Sequence, residues 1–316
     1  MIALGSAAYT VRSAARTSKE VEQLKAKLAQ EAAAAEAHRN LEYQARAKIY
    51  AQSEPIVLKL AESAEFAASR IIALADPRRA QVLQATTTGS WMLSNSSETI
   101  AITHALLEPL AWSTLLRETT NFVDLRFEHR LSEIYTLARA AYQTHLDDYV
   151  IAEIPPAFPY DPLVAGWRQK RQVEPAIYWW QGITRGRLDP AIELCLNRDA
   201  GRAATAAEFE KQYLELFDLT RDARHKCLGL FCNPLYNFRA EDRPIYWRIL
   251  LCQLLIYRRL ARRSRMPSDV LMTPTLEFDT KDVALLCKTS TLRDDAFDAS
   301  LDAALTYTAR VLAAPS

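Results

Sequence analysis

From Ser18 to Ala75 the chain holds no glycine and a single proline, Pro55, and that run limits the fold more than any other stretch. Its first half, KEVEQLKAKLAQEAAAAEAHRN, consists almost wholly of strong helix formers (Ala, Glu, Lys, Gln, Leu). Its second half places Tyr50, Val57, Leu60, Ala61, Ala64, Ala67, Ala68, Ile71 and Leu74 at intervals of three and four. That spacing gathers them on one helix face, which needs something to pack against. The run therefore reads as an exposed helical arm feeding the first core helix of a larger α-helical body. Pro55 either kinks one long helix or sits in the first turn of a new one capped by Ser53.

The rest of the chain supports the same class. Seven glycines in 316 residues leave little for the turns and bulges of a strand-rich fold, and no run of alternating β-branched residues appears. The fold class expected is all-α: a multi-helix, bundle-like body at 43–316 preceded by an apolar N-terminus and charged arm at 1–42. Apolar content of 49% and charged content of 24% are those of a globular chain large enough to need no disulfide or metal. A net charge of +1 supplies no global field to recruit nucleic acid or membrane, so either would need a local patch. The five cysteines form no C-x-x-C pair and read as reduced thiols in a cytoplasmic core.

Within the arm, Val21, Leu24 and Leu28 begin a heptad pattern that dissolves into alanine and glutamate. The segment MIALGSAAYTV before it is too short to span a bilayer, and basic residues follow it. Three readings stand: a frayed helix end, a membrane-associated tail or the end of an anchor begun upstream, and an organellar targeting peptide. Beyond the arm, helices are expected at about 97–118, 124–153, 206–217, 243–263, 279–288 and 291–313, with a short helical piece and polar loop at 78–96. Another should start at Asp189-Pro190. IPPAFPYDP, with four prolines in nine residues, makes 154–176 an extended crossover and a possible subdomain boundary.

The blocks LLEPLAWSTLLRETTNFVDL, FPYDPLVAGWRQKR and QGITRGRLDPAIE resemble those of uncharacterised bacterial all-helical proteins with a short N-terminal apolar segment and a charged helical arm. The resemblance implies an all-helical fold over most of the chain and carries no activity, substrate or catalytic residue.

Phosphate-cradling glycine loops, H-E-x-x-H, G-x-S-x-G and paired E-x-x-H motifs are absent from the sequence. No cofactor and no metal ligand set is expected. One arrangement resembles a catalytic motif: Arg139 and His145 match the R-x(4–6)-H spacing of HEPN-type ribonucleases, small all-α nucleases. There histidine moves the 2′-hydroxyl proton and arginine stabilises phosphate charge. The bland reading makes His145 a surface or interface residue. A second feature is the run Arg258, Arg259, Arg262, Arg263 and Arg265, ending an apolar helix beside Tyr246, Trp247 and Tyr257. It could bind an anionic surface or nucleic acid. It could equally pair with an internal acidic row at Asp294, Asp298 and Asp302. The reading favoured is a non-enzymatic interaction or assembly module, cytoplasmic, self-associating or held near a membrane through its arm. Its expected partner is a protein, with a membrane surface or nucleic acid as alternatives.

Overall fold

A computed structural model describes residues 2–76, 97–120, 128–163, 180–218, 223–235, 238–267, 276–290 and 292–313. The fold is all-α, as expected. The α-helices are α1 (Ile2–Leu74), α2 (Ser97–Thr120), α3 (His129–Thr144), α4 (Asp148–Glu153), α5 (Arg185–Glu193), α6 (Ala206–Asp218), α7 (Ala223–Cys232), α8 (Pro244–Ser264), α9 (Thr280–Thr289) and α10 (Asp294–Ala313). Strand structure among the described residues is one small antiparallel hairpin, β1 (Leu196–Asn197) with β2 (Arg202–Ala203). The expected helical piece and loop at 78–96, and residues 164–176 of the proline-rich crossover, lie outside the described residues.

Packing divides the chain into two units, Met1–Gln52 and Ser53–Ser316. The first is helical arm alone: its described side chains at 19 and 21–48 are all exposed. Val21, Leu24, Leu28, Leu41 and Tyr43 are among them. In the second unit, α1 buries Val57, Leu60, Ala61, Ala64, Ala67, Ala68 and Ile71 completely. Alanine at every turn from Ala61 to Ala68 leaves little side-chain bulk on this face, which suits close approach to neighbouring helices. Pro55 lies inside α1 rather than starting a new helix.

Around α8 the body is organised. Only Arg258, Arg259 and Arg262 of this helix escape burial, and it packs against α3, α4 and α10. Its start is satisfied from outside the helix. Pro244 at the first position has no N–H to satisfy, and the next two backbone N–H groups, of Ile245 and Tyr246, both donate to Gln181 Oε1 at 3.1 Å. Trp247 N–H then reaches Arg243 O at 2.9 Å. One buried glutamine from a distant loop thus replaces the usual Ncap side chain.

Two boundaries differ from the expected ones. The helix expected over 124–153 is broken at His145–Asp147 into α3 and α4. The His145 carbonyl accepts from Ile183 N–H at 2.9 Å, and Asp147 accepts from Gln143 Nε2 and from Tyr307 Oη, each at 2.7 Å. These tertiary bonds outcompete continuation of the helix. The helix expected to start at Asp189-Pro190 begins instead at Arg185, with Pro190 inside it. Proline removes the bond to the carbonyl four residues back, on Gly186, which is exposed and can turn to water.

Candidate functional site

Arg139 and His145 do not meet. Arg139 is exposed on α3, while His145, just past the end of that helix, is only 2% exposed. His145 is a core residue, not the surface or interface residue that was the alternative to catalysis. The Gln253 amide sits against His145 Nε2, and the Phe231 ring lies 5.4 Å from the imidazole. Burial lowers the imidazole pKa from 6.5 to about 3, so it stays neutral at neutral pH. A neutral, enclosed imidazole has no access to a ribose hydroxyl.

Near His145 lies a buried polar network. Asp148, at the first position of α4, accepts from Tyr160 Oη at 2.7 Å and from the Gly182 backbone. Tyr160 Oη in turn accepts from Gln181 N–H at 2.9 Å. Desolvation raises the Asp148 pKa, opposed by these hydrogen bonds. Arg248, 1% exposed, donates to Ile154 O and Pro156 O at 2.8 Å and to Ile151 O at 3.3 Å, so it caps the end of α4. Its guanidinium also lies 4.5 Å over the Phe158 ring, and burial lowers its pKa to about 10. Every one of these groups faces another part of the fold, and the arrangement orders backbone rather than presenting chemistry.

The arginine run is largely paired within the fold, and its partners are not the aspartate row. Arg258 binds Asp282 through two 2.7 Å bonds, and those hydrogen bonds raise its pKa. Arg259 donates to Glu133 at 3.1 Å. Arg263, fully buried, has Nε 2.8 Å from Glu133 Oε2 but off-line for a hydrogen bond, and donates through Nη1 to Pro267 O. Arg265 contacts Glu65. Arg262 is exposed, as is Arg265, and alone of the five it forms no ion pair among the described residues. Asp294, Asp298 and Asp302 are all exposed and pair with none of the run.

Arg139 instead belongs to a cleft of about 210 Å³ formed by α2, α3 and the start of α5. Three arginines line it, Arg117, Arg139 and Arg185, and among its described lining residues there is no carboxylate. Leu110 and Ala138 supply apolar wall, and Tyr135 and Tyr142 supply rings. Arg185 lies 6.0 Å from the Tyr142 ring centroid, and Tyr142 Oη donates to Asp189 at 2.6 Å. Glu118, next to Arg117 in sequence, is taken up by Arg198 at 2.6 Å. Arg117 and Arg139 therefore have no acidic partner among the described residues. Sequence reasoning nominated Arg139 for another purpose and missed Arg117 and Arg185. The three residues come from separate elements with no shared motif.

Among the described residues no group of His, Cys, Asp and Glu is placed to hold a metal ion, and no helix is long and apolar enough to cross a membrane. Comparison with protein-family models, with curated proteins and with solved structures finds no match for this chain.

Proposed function

We propose that this protein is a non-catalytic assembly module whose helical arm pairs with the arm of a second copy. The supporting observation is the apolar face of the first unit. Val21, Leu24 and Leu28 are 46%, 61% and 57% exposed at heptad spacing. At 100° per residue the same face continues through Ala32 and Ala35 to Tyr43, which is 75% exposed. A charged helix has no intrinsic need for this face, and a partner helix would cover it. The chain works in the cytoplasm on this reading, with an anionic membrane as the competing occupant of the N-terminal segment.

Magnitudes set the strength. Four half- to three-quarter-exposed side chains per copy, at about 1–1.5 kcal/mol each on burial, give roughly 10 kcal/mol for the pair. Association costs about 4–15 kcal/mol of that, so the dimer is a micromolar one at best. Light scattering from about 5 to 200 μM should show mass rising with concentration, and Leu24→Glu with Leu28→Glu should hold the protein monomeric. Deleting residues 1–42 should do the same while leaving the thermal transition of the body in place. Concentration-independent monomer in the wild type, or flotation with acidic vesicles that Leu24→Glu abolishes, would replace self-pairing with another occupant.

A further inference from the structure

The cleft between α2, α3 and α5 asks for a ligand of its own, independent of the arm. Arg117, Arg139 and Arg185 line one concavity with no carboxylate among its described lining residues, in a chain whose net charge is only +1. Like charges collected in a recess repel one another, and among the described residues no carboxylate pairs with Arg117 or Arg139. Arg185 occupies the first position of α5, where a cation opposes the positive end of the helix, and that first turn holds no acid. Asp189 offsets it in part through Tyr142. Several arginines elsewhere in the body are matched: Arg130 to Glu54, Arg198 to Glu118 and Glu193, Arg202 to Glu208, Arg258 to Asp282. Among the described residues of the body Arg187, Arg262, Arg293 and Arg310 are likewise exposed without an ion pair, but none of them lines a cleft with other arginines.

We propose that this cleft binds the phosphate group of a small phosphorylated molecule. A guanidinium fork matches phosphate oxygens two at a time, and a phosphate brings about two negative charges to the three cations where a single carboxylate brings one. The Tyr135 and Tyr142 rings offer flat walls for the body that carries the phosphate. About 210 Å³ suits a small molecule and not a strand, because single-stranded nucleic acid needs a groove that follows several successive phosphates. The phosphate binds without being transformed, since no carboxylate or histidine is among the described lining residues to move a proton.

Inorganic pyrophosphate is the probe. Calorimetric titration into the full-length protein at low salt should give saturable one-to-one binding. Arg117→Gln and Arg139→Gln, both at exposed positions, should each weaken it at least tenfold while keeping the ligand-free melting temperature. Arg262→Gln, which removes an unpaired arginine outside the cleft, should leave it unchanged. Absence of saturable binding, or equal weakening by Arg262→Gln, overturns the site. Citrate binding as tightly as pyrophosphate overturns the phosphate assignment. Tighter binding of single-stranded RNA, lost in the same cleft variants, overturns the restriction to small molecules.

Discussion

Gly182→Ala tests whether the buried network around Asp148 is as rigid as its bonding implies. A β-carbon at this position would lie 2.4 Å from Asp148 Cγ and 2.7 Å from its Oδ2, distances that packed atoms do not tolerate. Neither side can retreat without loss. Asp148 is held by Tyr160 Oη and by the Gly182 N–H. Gly182 is flanked by Gln181, which satisfies the start of α8, and by Ile183, which bonds the His145 carbonyl. Overpacking costs about 1–3 kcal/mol, and a lost hydrogen bond to a charged group about 1.5–3 kcal/mol. Together about 4 kcal/mol is expected, which for a body of this size lowers the melting temperature by roughly 8–16 °C. Gly186→Ala is the control. No atom lies within 4 Å of its added carbon, and helix propensity favours the change by up to about 1 kcal/mol. Calorimetry of both variants and of the Asp148→Ala, Gly182→Ala double variant separates crowding from a general effect, because removing the carboxylate makes room. A Gly182→Ala melting temperature within 2 °C of wild type, or additive effects in the double variant, would refute the claim of rigidity.

His145 supplies a pH signature: its folded pKa of about 3 lies below the ordinary 6.5, so the unfolded chain takes up a proton that the folded one refuses. Stability should be full above pH 6.5 and fall by about 1.4 kcal/mol per unit as pH drops towards 3. His145→Gln should flatten that slope in urea denaturation between pH 7 and 4.5, and equal slopes would refute it. The charge pairing of α8 makes a paired expectation. Asp282→Asn, removing the 5%-exposed partner of Arg258, should cost about 2 kcal/mol, whereas Asp298→Lys in the unpartnered row should stay within about 0.5 kcal/mol. Reversed ranking in chemical denaturation would return the aspartate row to consideration.

Helix identity was legible wherever it is dictated by periodicity. The face from Val57 to Leu74 and the run from Ile245 to Ile256 are buried as their spacing and apolar density imply. What escaped the sequence depends on residues far away along the chain. The break at His145–Asp147 carries no glycine or proline, and its cause is a bond from Ile183. Pro190 was the opposite error: a strong local start signal that lies inside a helix already begun at Arg185, its missing bond made harmless by an exposed Gly186 carbonyl. The acids at Asp294, Asp298 and Asp302 offered the right sign at a suggestive spacing. The arginines chose Glu65, Glu133 and Asp282, which α1, α3 and α9 deliver to the same place.

The same distinction explains why one arginine of the ribonuclease-like pair matters without its histidine. Residues six apart on an α-helix point about 120° away from one another, so Arg139 and His145 could converge only if the helix deformed between them. The helix does end at Thr144, but the change in direction carries His145 inward to Gln253 and leaves Arg139 on the opposite side of the problem, facing the cleft. A local motif could not reveal its true companions. Arg117 is 22 residues before it and Arg185 46 residues after it, each on its own helix. Their meaning lies in the concavity that three helices make, and in the absence of carboxylates from its described lining, which no spacing rule encodes.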